Sequence, residues 1–271
     1  MDESRREQII ESLNQIEIRN DVRILYAVES GSRAWGFASP DSDYDARFVY
    51  IRSLQEYLRL RPRRDVIELP IVDDLDINGW DILKALNLFR ASNPPLMEWL
   101  NSPIIYLERG DFATKLRSLA QAHYSAKRMT YHYLSMARGN YKDHIEGKAE
   151  VSLKKYLYAM RPLLCIRWIE QHASLPPTSV WETLEGIHLE TEVRIQFSQL
   201  MERKRQAGEL GAAAPDNILT GFIVNELERI STLVTNLPDP TLAEDDLNTV
   251  FQAELGLTFP AAQPKLERKL Q

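Results

Sequence analysis

The chain has little of what would make it a disulfide-bonded, zinc-binding or membrane protein. Its single cysteine, Cys165, sits in the apolar run Leu163-Leu164-Cys165-Ile166, so no intrachain disulfide can form and the thiol is expected to be buried rather than reactive. The five histidines (123, 132, 144, 172 and 188) show no zinc-site spacing, which leaves oxygen ligands for any metal. No apolar run approaches the length of a bilayer span. The first residues, Met1-Asp2-Glu3-Ser4-Arg5-Arg6-Glu7, are charged where a signal peptide needs an apolar stretch. Together these features predict a cytoplasmic protein with no membrane partner. The sequence also has no internal repeat and no low-complexity tract.

What is present is enough for one large domain or two small ones: 271 residues, 44% of them apolar. The net charge of −6 argues against indiscriminate nucleic-acid binding, but the charge is uneven. Residues 111–170 hold eleven Lys or Arg against five acids, a local +6 that leaves −12 for the remainder. A basic middle beside an acidic remainder suits a polyanionic ligand, although solvated helix faces give similar counts.

The chain is organised around Gly31-Ser32-Arg33-Ala34-Trp35-Gly36-Phe37-Ala38-Ser39-Pro40-Asp41-Ser42-Asp43-Tyr44-Asp45. Val22 to Val28 before it reads as a buried strand, and Asp43 to Ile51 after it as a second. Strand side chains alternate, so Asp43 and Asp45 share a face and Tyr44 takes the other. Two carboxylates about 7 Å apart on one face repel each other unless a cation or solvent separates them. Gly31-Ser32 ends the first strand before a short helix-like stretch, where outward-pointing amides can cradle a phosphate. The same residues are also ordinary turn formers.

Elsewhere, Ser4-Arg5-Arg6-Glu7 has capping-box spacing and predicts a helix over 4–17. A short helix is expected over 53–58, a loop over 61–64, and extended segments over 66–69 and 74–78. Asp76, between Leu75 and Ile77, is an acid in an apolar strand pattern and needs a cation, a hydrogen-bond shell or solvent. Asp81 suits the N-cap of a helix over 82–89, and Asn93 caps another with Pro94 in its first turn. Trp80 and Trp99 read as packing residues, and Ile104 to Tyr106 as a strand.

Beyond residue 110 helical patterns cover 111–120, 123–140, 148–172, 177–184, 190–208 and 216–236. A loop is expected at 208–215 and a partly ordered tail after Leu237. Lys154, Tyr158 and Arg161 recur at i, i+4 and i+7, one helix face, with Lys155 beside them. Such a face either holds a triphosphate and stacks a base or is a solvated surface next to a core stripe.

Gly-Ser, ten intervening residues, then Asp43-Tyr44-Asp45 resembles the signature of the DNA polymerase beta-like nucleotidyltransferase superfamily. The longer run, Gly31-Ser32-Arg33-Ala34-Trp35-Gly36-Phe37 followed by Ser42-Asp43-Tyr44-Asp45-Ala46-Arg47-Phe48, resembles one branch, the RNA repair pathway DNA polymerase beta family of RlaP/YcgL type. So do Gly79-Trp80-Asp81, Asn93-Pro94, Glu98-Trp99-Leu100, Ser102-Pro103-Ile104, Tyr133 to Asn140, Lys154 to Tyr158 and Arg161-Pro162-Leu163.

The resemblance implies an α+β fold. A nucleotidyltransferase-type mixed β-sheet flanked by helices would span 1–110, an all-helical domain bounding the nucleotide cleft 111–240, and a tail 241–271. It implies transfer of a nucleoside monophosphate from an NTP to a hydroxyl, with two Mg2+ or Mn2+ ions and release of pyrophosphate. Asp43, Asp45 and a third carboxylate would be the catalytic metal ligands, with Asp76 ahead of Asp74 and Glu68 for the third place. Gly31, Ser32 and Arg33 would hold phosphates, Arg47 would contact phosphate or pair with an acid beside the metal, and Lys154, Tyr158 and Arg161 would bind nucleotide. The branch's association with RNA repair points to an RNA end as acceptor, in RNA repair or tRNA modification. A protein-modifying, adenylylating antitoxin-like enzyme and a catalytically silent nucleotide- or RNA-binding protein remain open alternatives.

Overall fold

Apolar residues that alternate or recur at helical intervals fix which face of each element is buried, and the N-terminal part obeys that rule closely. The structure is a computed structural model that describes residues 3–207, 211–240 and 243–257. Helix α1 (Glu3–Asn20) buries Ile9, Leu13 and Ile16, and it runs one turn beyond the expected end. Then come β1 (Arg23–Glu29), α2 (Gly31–Trp35), β2 (Tyr44–Ile51), α3 (Leu54–Tyr57), β3 (Val66–Glu68) and β4 (Leu75–Asp81). Helices α4 (Ile82–Arg90) and α5 (Pro94–Leu100) and strand β5 (Ile105–Glu108) complete this part.

The five strands form one sheet in the order β3-β4-β2-β1-β5. Only β2 and β4 run parallel; the other pairs are antiparallel, which makes the sheet mixed. One face carries Ile24, Ala27, Ala46, Phe48, Tyr50 and Ile77 and is covered by α1. The other carries Tyr26, Val28, Val49 and Ile51 and packs on the helices that follow. Gly79 seats β4 on the first face, because a Cβ there would lie 2.1 Å from the Phe48 ring. The helix starts are held as expected: Asp81 accepts from the Leu83 amide at 2.9 Å, and Asn93 from the Leu96 amide at 3.2 Å with Pro94 in the first turn.

Helices dominate the rest: α6 (Phe112–His123), α7 (Ala126–His144), α8 (Leu153–His172), α9 (Val180–Gly186), α10 (Thr191–Ala207), α11 (Asn217–Leu233) and α12 (Glu244–Glu254). Helix α8 starts five residues later than the periodicity predicts, because β6 (Val151–Ser152) pairs with β7 (Ala212–Ala213). That ladder also gives structure to the second half of the expected 208–215 loop, whose residues 208–210 lie outside the described residues. Cys165 is buried in α8. In the tail, α12 buries Leu247 and Val250 and packs against α4 and α6; residues 241–242 and 258–271 lie outside the described residues.

The turn at Gly110 separates the sheet from the helices, yet the apolar core does not stop there. It runs from Tyr26, Val28 and Val49 through Phe112 and Tyr133 to Phe197 and Ile223. Sheet and helices are therefore welded along the side of the sheet that faces the cleft. Among the described residues no helix is long and apolar enough to cross a membrane.

Candidate active site

The site grows out of the β1–α2–β2 connection. Gly31 has a φ of +59°, and a Cβ on it would lie 1.9 Å from Asp45 Oδ2. Only glycine lets the turn come this close to the carboxylate. Helix α2 is one short turn, its start carries no side-chain cap, and Gly36 ends it at a φ of 89°.

Asp45 is clamped through its backbone. Its amide donates to Glu29 Oε1 at 2.9 Å and its carbonyl accepts from the Ser30 amide at 2.9 Å. Glu29 has no exposed surface; its Oε2 accepts from the Tyr106 hydroxyl and its carbonyl from Ser102 Oγ at 2.6 Å. Burial pushes the Glu29 carboxyl up to about 7, with the Tyr106 and Asp45 amide hydrogen bonds opposing and the Asp45 charge adding. Glu29 is a site residue that motif spacing does not mark. Its signal was an acid closing the otherwise apolar strand just ahead of Gly-Ser.

Parallel pairing sets Asp45 directly opposite Asp76. Arg47 joins them, with Nη2 2.9 Å from Asp45 Oδ1 and 2.7 Å from Asp76 Oδ2, and Nη1 2.9 Å from the Asp76 carbonyl. Burial raises the Asp45 carboxyl; Arg47 opposes the shift, and Asp76 and Asp43 add to it. Of the rivals to Asp76, Asp74 stands exposed in a turn at a φ of 62°, and Glu68 is exposed on β3, held by Arg64 and Asn78.

Asp43, just before β2, and Asp45 both line a cleft of about 620 Å³, a size that holds a nucleotide-sized ligand. Ser30, Gly31, Ser32 and Ser42 line it on the turn side, Arg47 on the floor, and Lys154, Tyr158, Ser152 and Lys204 on the helical wall. Lys204 belongs to no motif in the sequence. It arrives from α10, buried, with Nζ 2.5 Å from Ser39 Oγ. The Asp41 carboxyl is held below its usual range, chiefly by a hydrogen bond from Ser39, with Lys204 and Lys154 adding.

Two expected phosphate ligands sit differently. The Arg33 side chain turns into the acid loop, donating to the Ser42 carbonyl at 2.6 Å and the Asp43 carbonyl at 3.1 Å and stacking 3.6 Å from the Tyr44 ring centre. Arg161 shares the helical face of Lys154 and Tyr158, but by its turn of α8 that face is covered. Arg161 is 3% exposed, donates to Glu98 Oε1 at 2.9 Å and lies 4.3 Å from the Trp35 ring centre. Glu98 also accepts from Tyr133 and Trp35, each at 3.1 Å, so it ties α2, α5, α7 and α8 together behind the cleft.

The oxygen-only donor set of Asp43 and Asp45 fits a hard divalent cation such as Mg2+ or Mn2+, and the glycine cradle leaves Asp45 Oδ2 facing Gly31 rather than a side chain. The space between Asp45 and Asp76 is spanned by the Arg47 guanidinium. Among the described residues no three carboxylate, histidine or cysteine side chains converge as a metal cluster.

A mixed sheet whose second strand opens on an acid pair, preceded by a Gly-Ser turn and walled by helices, defines a nucleotidyltransferase-like protein. The sequence profile of the RNA repair pathway DNA polymerase beta family matches residues 5–253, and the chain belongs to that family. It is 46% identical over 225 residues to the uncharacterized protein YcgL of Bacillus subtilis (strain 168), covering 83% of this chain and 86% of that one. A weak likeness links it to the crystal structure of a nucleotidyltransferase-like protein from Exiguobacterium sibiricum 255-15. The TM-score is 0.30 at 14% identity, over 84% of this chain and 74% of that one.

Proposed function

We propose that this protein transfers a nucleoside monophosphate from an NTP to a hydroxyl at an RNA end and releases pyrophosphate. The observation that carries the reading is the shared cleft: Asp45 on β2 and Asp43 just before it face the cleft, between the Gly31-Ser32 turn and the cationic wall of Lys154 and Lys204. The amides of Gly31, Ser32 and Arg33, the Ser32 hydroxyl and the two lysines hold the β- and γ-phosphates. Tyr158 lies beside Lys154 on that wall, where its ring meets the donor nucleoside. Arg47 positions Asp45 and Asp76 from the floor, with its Nη groups given to the two acids and to the Asp76 carbonyl. Arg161 contributes through Glu98 and Trp35 to the shape of the wall.

Two Mg2+ or Mn2+ ions, held by Asp43 and Asp45 with Asp76 as the third carboxylate, would lower the acceptor hydroxyl's pKa and neutralise the triphosphate. The acceptor oxygen attacks the α-phosphorus, the bond to the bridging oxygen breaks, and the hydroxyl proton leaves to solvent as pyrophosphate departs. An NTP donor implies a cytoplasmic site of action.

The test supplies each α-labelled NTP with Mg2+ or Mn2+ and either RNA or a protein lysate. Label in RNA that vanishes in Asp43→Asn and Asp45→Asn is expected. Label confined to protein would favour an adenylylating enzyme instead, and NTP binding without pyrophosphate release would favour a silent nucleotide-binding protein.

A further inference from the structure

The far end of the cleft is aromatic. Trp80 on β4 stacks on Trp99 of α5, ring centres 3.8 Å apart and planes 27° apart. Trp99 is 4% exposed, whereas Trp80 is only partly buried, and Trp80 lines the cleft with Pro95 and Met136. With Gly79 seated on Phe48, the alternation of β4 turns Trp80 to the opposite face, the one that carries Asp45 and Asp76.

Two geometric facts give this aromatic surface a substrate. In the sheet, β4 and β1 flank β2 on opposite sides, and the Gly31-Ser32 turn follows β1. A triphosphate in that turn sends its leaving pyrophosphate toward the β1 side. In-line displacement at phosphorus places the attacking oxygen opposite the leaving one, so the acceptor enters from the β4 side. Register supplies the second fact: Asp76 pairs with Asp45, and Trp80 pairs with Val49, two alternations further along the same face. That is ~13 Å of strand, the reach from a nucleotide's sugar-phosphate to the far edge of its base.

We propose that Trp80, backed by Trp99, is the stacking surface for the terminal nucleobase of the acceptor. The inference rests on the nucleotidyl-transfer reading above and narrows its acceptor to a single-stranded nucleic-acid end instead of a protein hydroxyl. Glu98, the acid nearest in sequence to Trp99, is engaged by Trp35, Tyr133 and Arg161. Recognition therefore runs through the π-face, which every base has, and base preference is weak.

The experiment measures binding apart from turnover. A 5′-fluorescein RNA of about six nucleotides with a free 3′-hydroxyl is titrated with the full chain by anisotropy, and NTP binding is measured separately. Trp80→Ala is expected to raise the RNA Kd about 5- to 150-fold, the range set by base–aromatic stacking. Trp80→Phe should recover most of that loss, and the NTP Kd should stay within about twofold. An RNA abasic at its 3′-terminal position, tested on the unaltered protein, should lose the same factor and needs no variant to fold.

If neither Trp80→Ala nor the abasic end weakens RNA binding, the pair is only packing and the proposal falls. A loss of NTP affinity with RNA affinity intact would assign the surface to the donor's base, and label transfer to protein that ignores Trp80→Ala would assign the acceptor to protein. RNA binding that weakens with both Trp80→Ala and the abasic end, without transfer of any NTP, would overturn the transfer reading while leaving the stacking surface in place.

Discussion

Glu29, with no exposed surface, accepts the backbone amide of Asp45 at 2.9 Å. A fully buried acid thus fixes the strand position of a cleft acid, and its ionisation is coupled to the stability of the fold. The carboxyl ordinarily titrates at 4.5 and is raised to about 7 by burial. Between those values the folded state holds the proton more tightly than the unfolded state, so stability falls as pH rises through this window. The loss is about 3 kcal/mol at most. Thermal unfolding of the metal-free protein should show a declining Tm from below pH 5 to above pH 7, and Glu29→Gln should flatten that decline. An unchanged slope in the variant would place the titration elsewhere.

Gly31→Ala introduces a Cβ where Asp45 Oδ2 already stands, at a backbone φ of +59°. The strain costs about 1–2 kcal/mol of stability, and the carboxylate must move. Transfer activity should fall at least ~100-fold, a loss in keeping with ångström-scale misplacement of a reacting group, while the unfolding midpoint shifts by only a few degrees. Activity near that of the unaltered protein would show that Asp45 Oδ2 is not needed in its present place.

Arg47→Met removes the only cation shown between Asp45 and Asp76 among the described residues. Both acids are partly solvated, so the loss is about 1–2 kcal/mol, below that of a fully buried pair. The freed carboxylates should bind divalent ions better in the variant. Mg2+ should therefore raise its Tm more than that of the unaltered protein, and equal Mg2+ responses would count against a cation site at these acids.

Arg161→Met tests a structural role against a phosphate-binding one. The guanidinium is 3% exposed and paired with Glu98, and breaking such a pair costs about 3–5 kcal/mol. Unfolding by denaturant should show that loss, with partial recovery in the double variant Glu98→Gln/Arg161→Met. A raised KM for NTP at unchanged stability would return Arg161 to the phosphate site.

Local rules made much of this fold legible. Asp43 and Asp45 were expected on one face of a strand and both line the cleft, though Asp43 stands just ahead of β2; a small-residue pair ended β1, and Asp81 and Asn93 announced the helices they cap. Periodicity found the long helices. It missed β6 and β7, because two-residue ladders have no period to detect.

What the sequence alone determined is the content of single elements: the glycine before the acid pair, the side each acid takes, the caps, the family signature. Tertiary structure decided which elements meet. The parallel register that sets Asp76 opposite Asp45 depends on the path between two strands. Lys204 reaches Ser39 from 165 residues away, on the face of α10 that also buries Phe197, Leu200 and Met201. Arg161 shows the limit most clearly, since helical spacing gives the direction a side chain points but not what lies above it. Burial is a property of the neighbour that covers a residue, and that neighbour is chosen by packing across the whole chain.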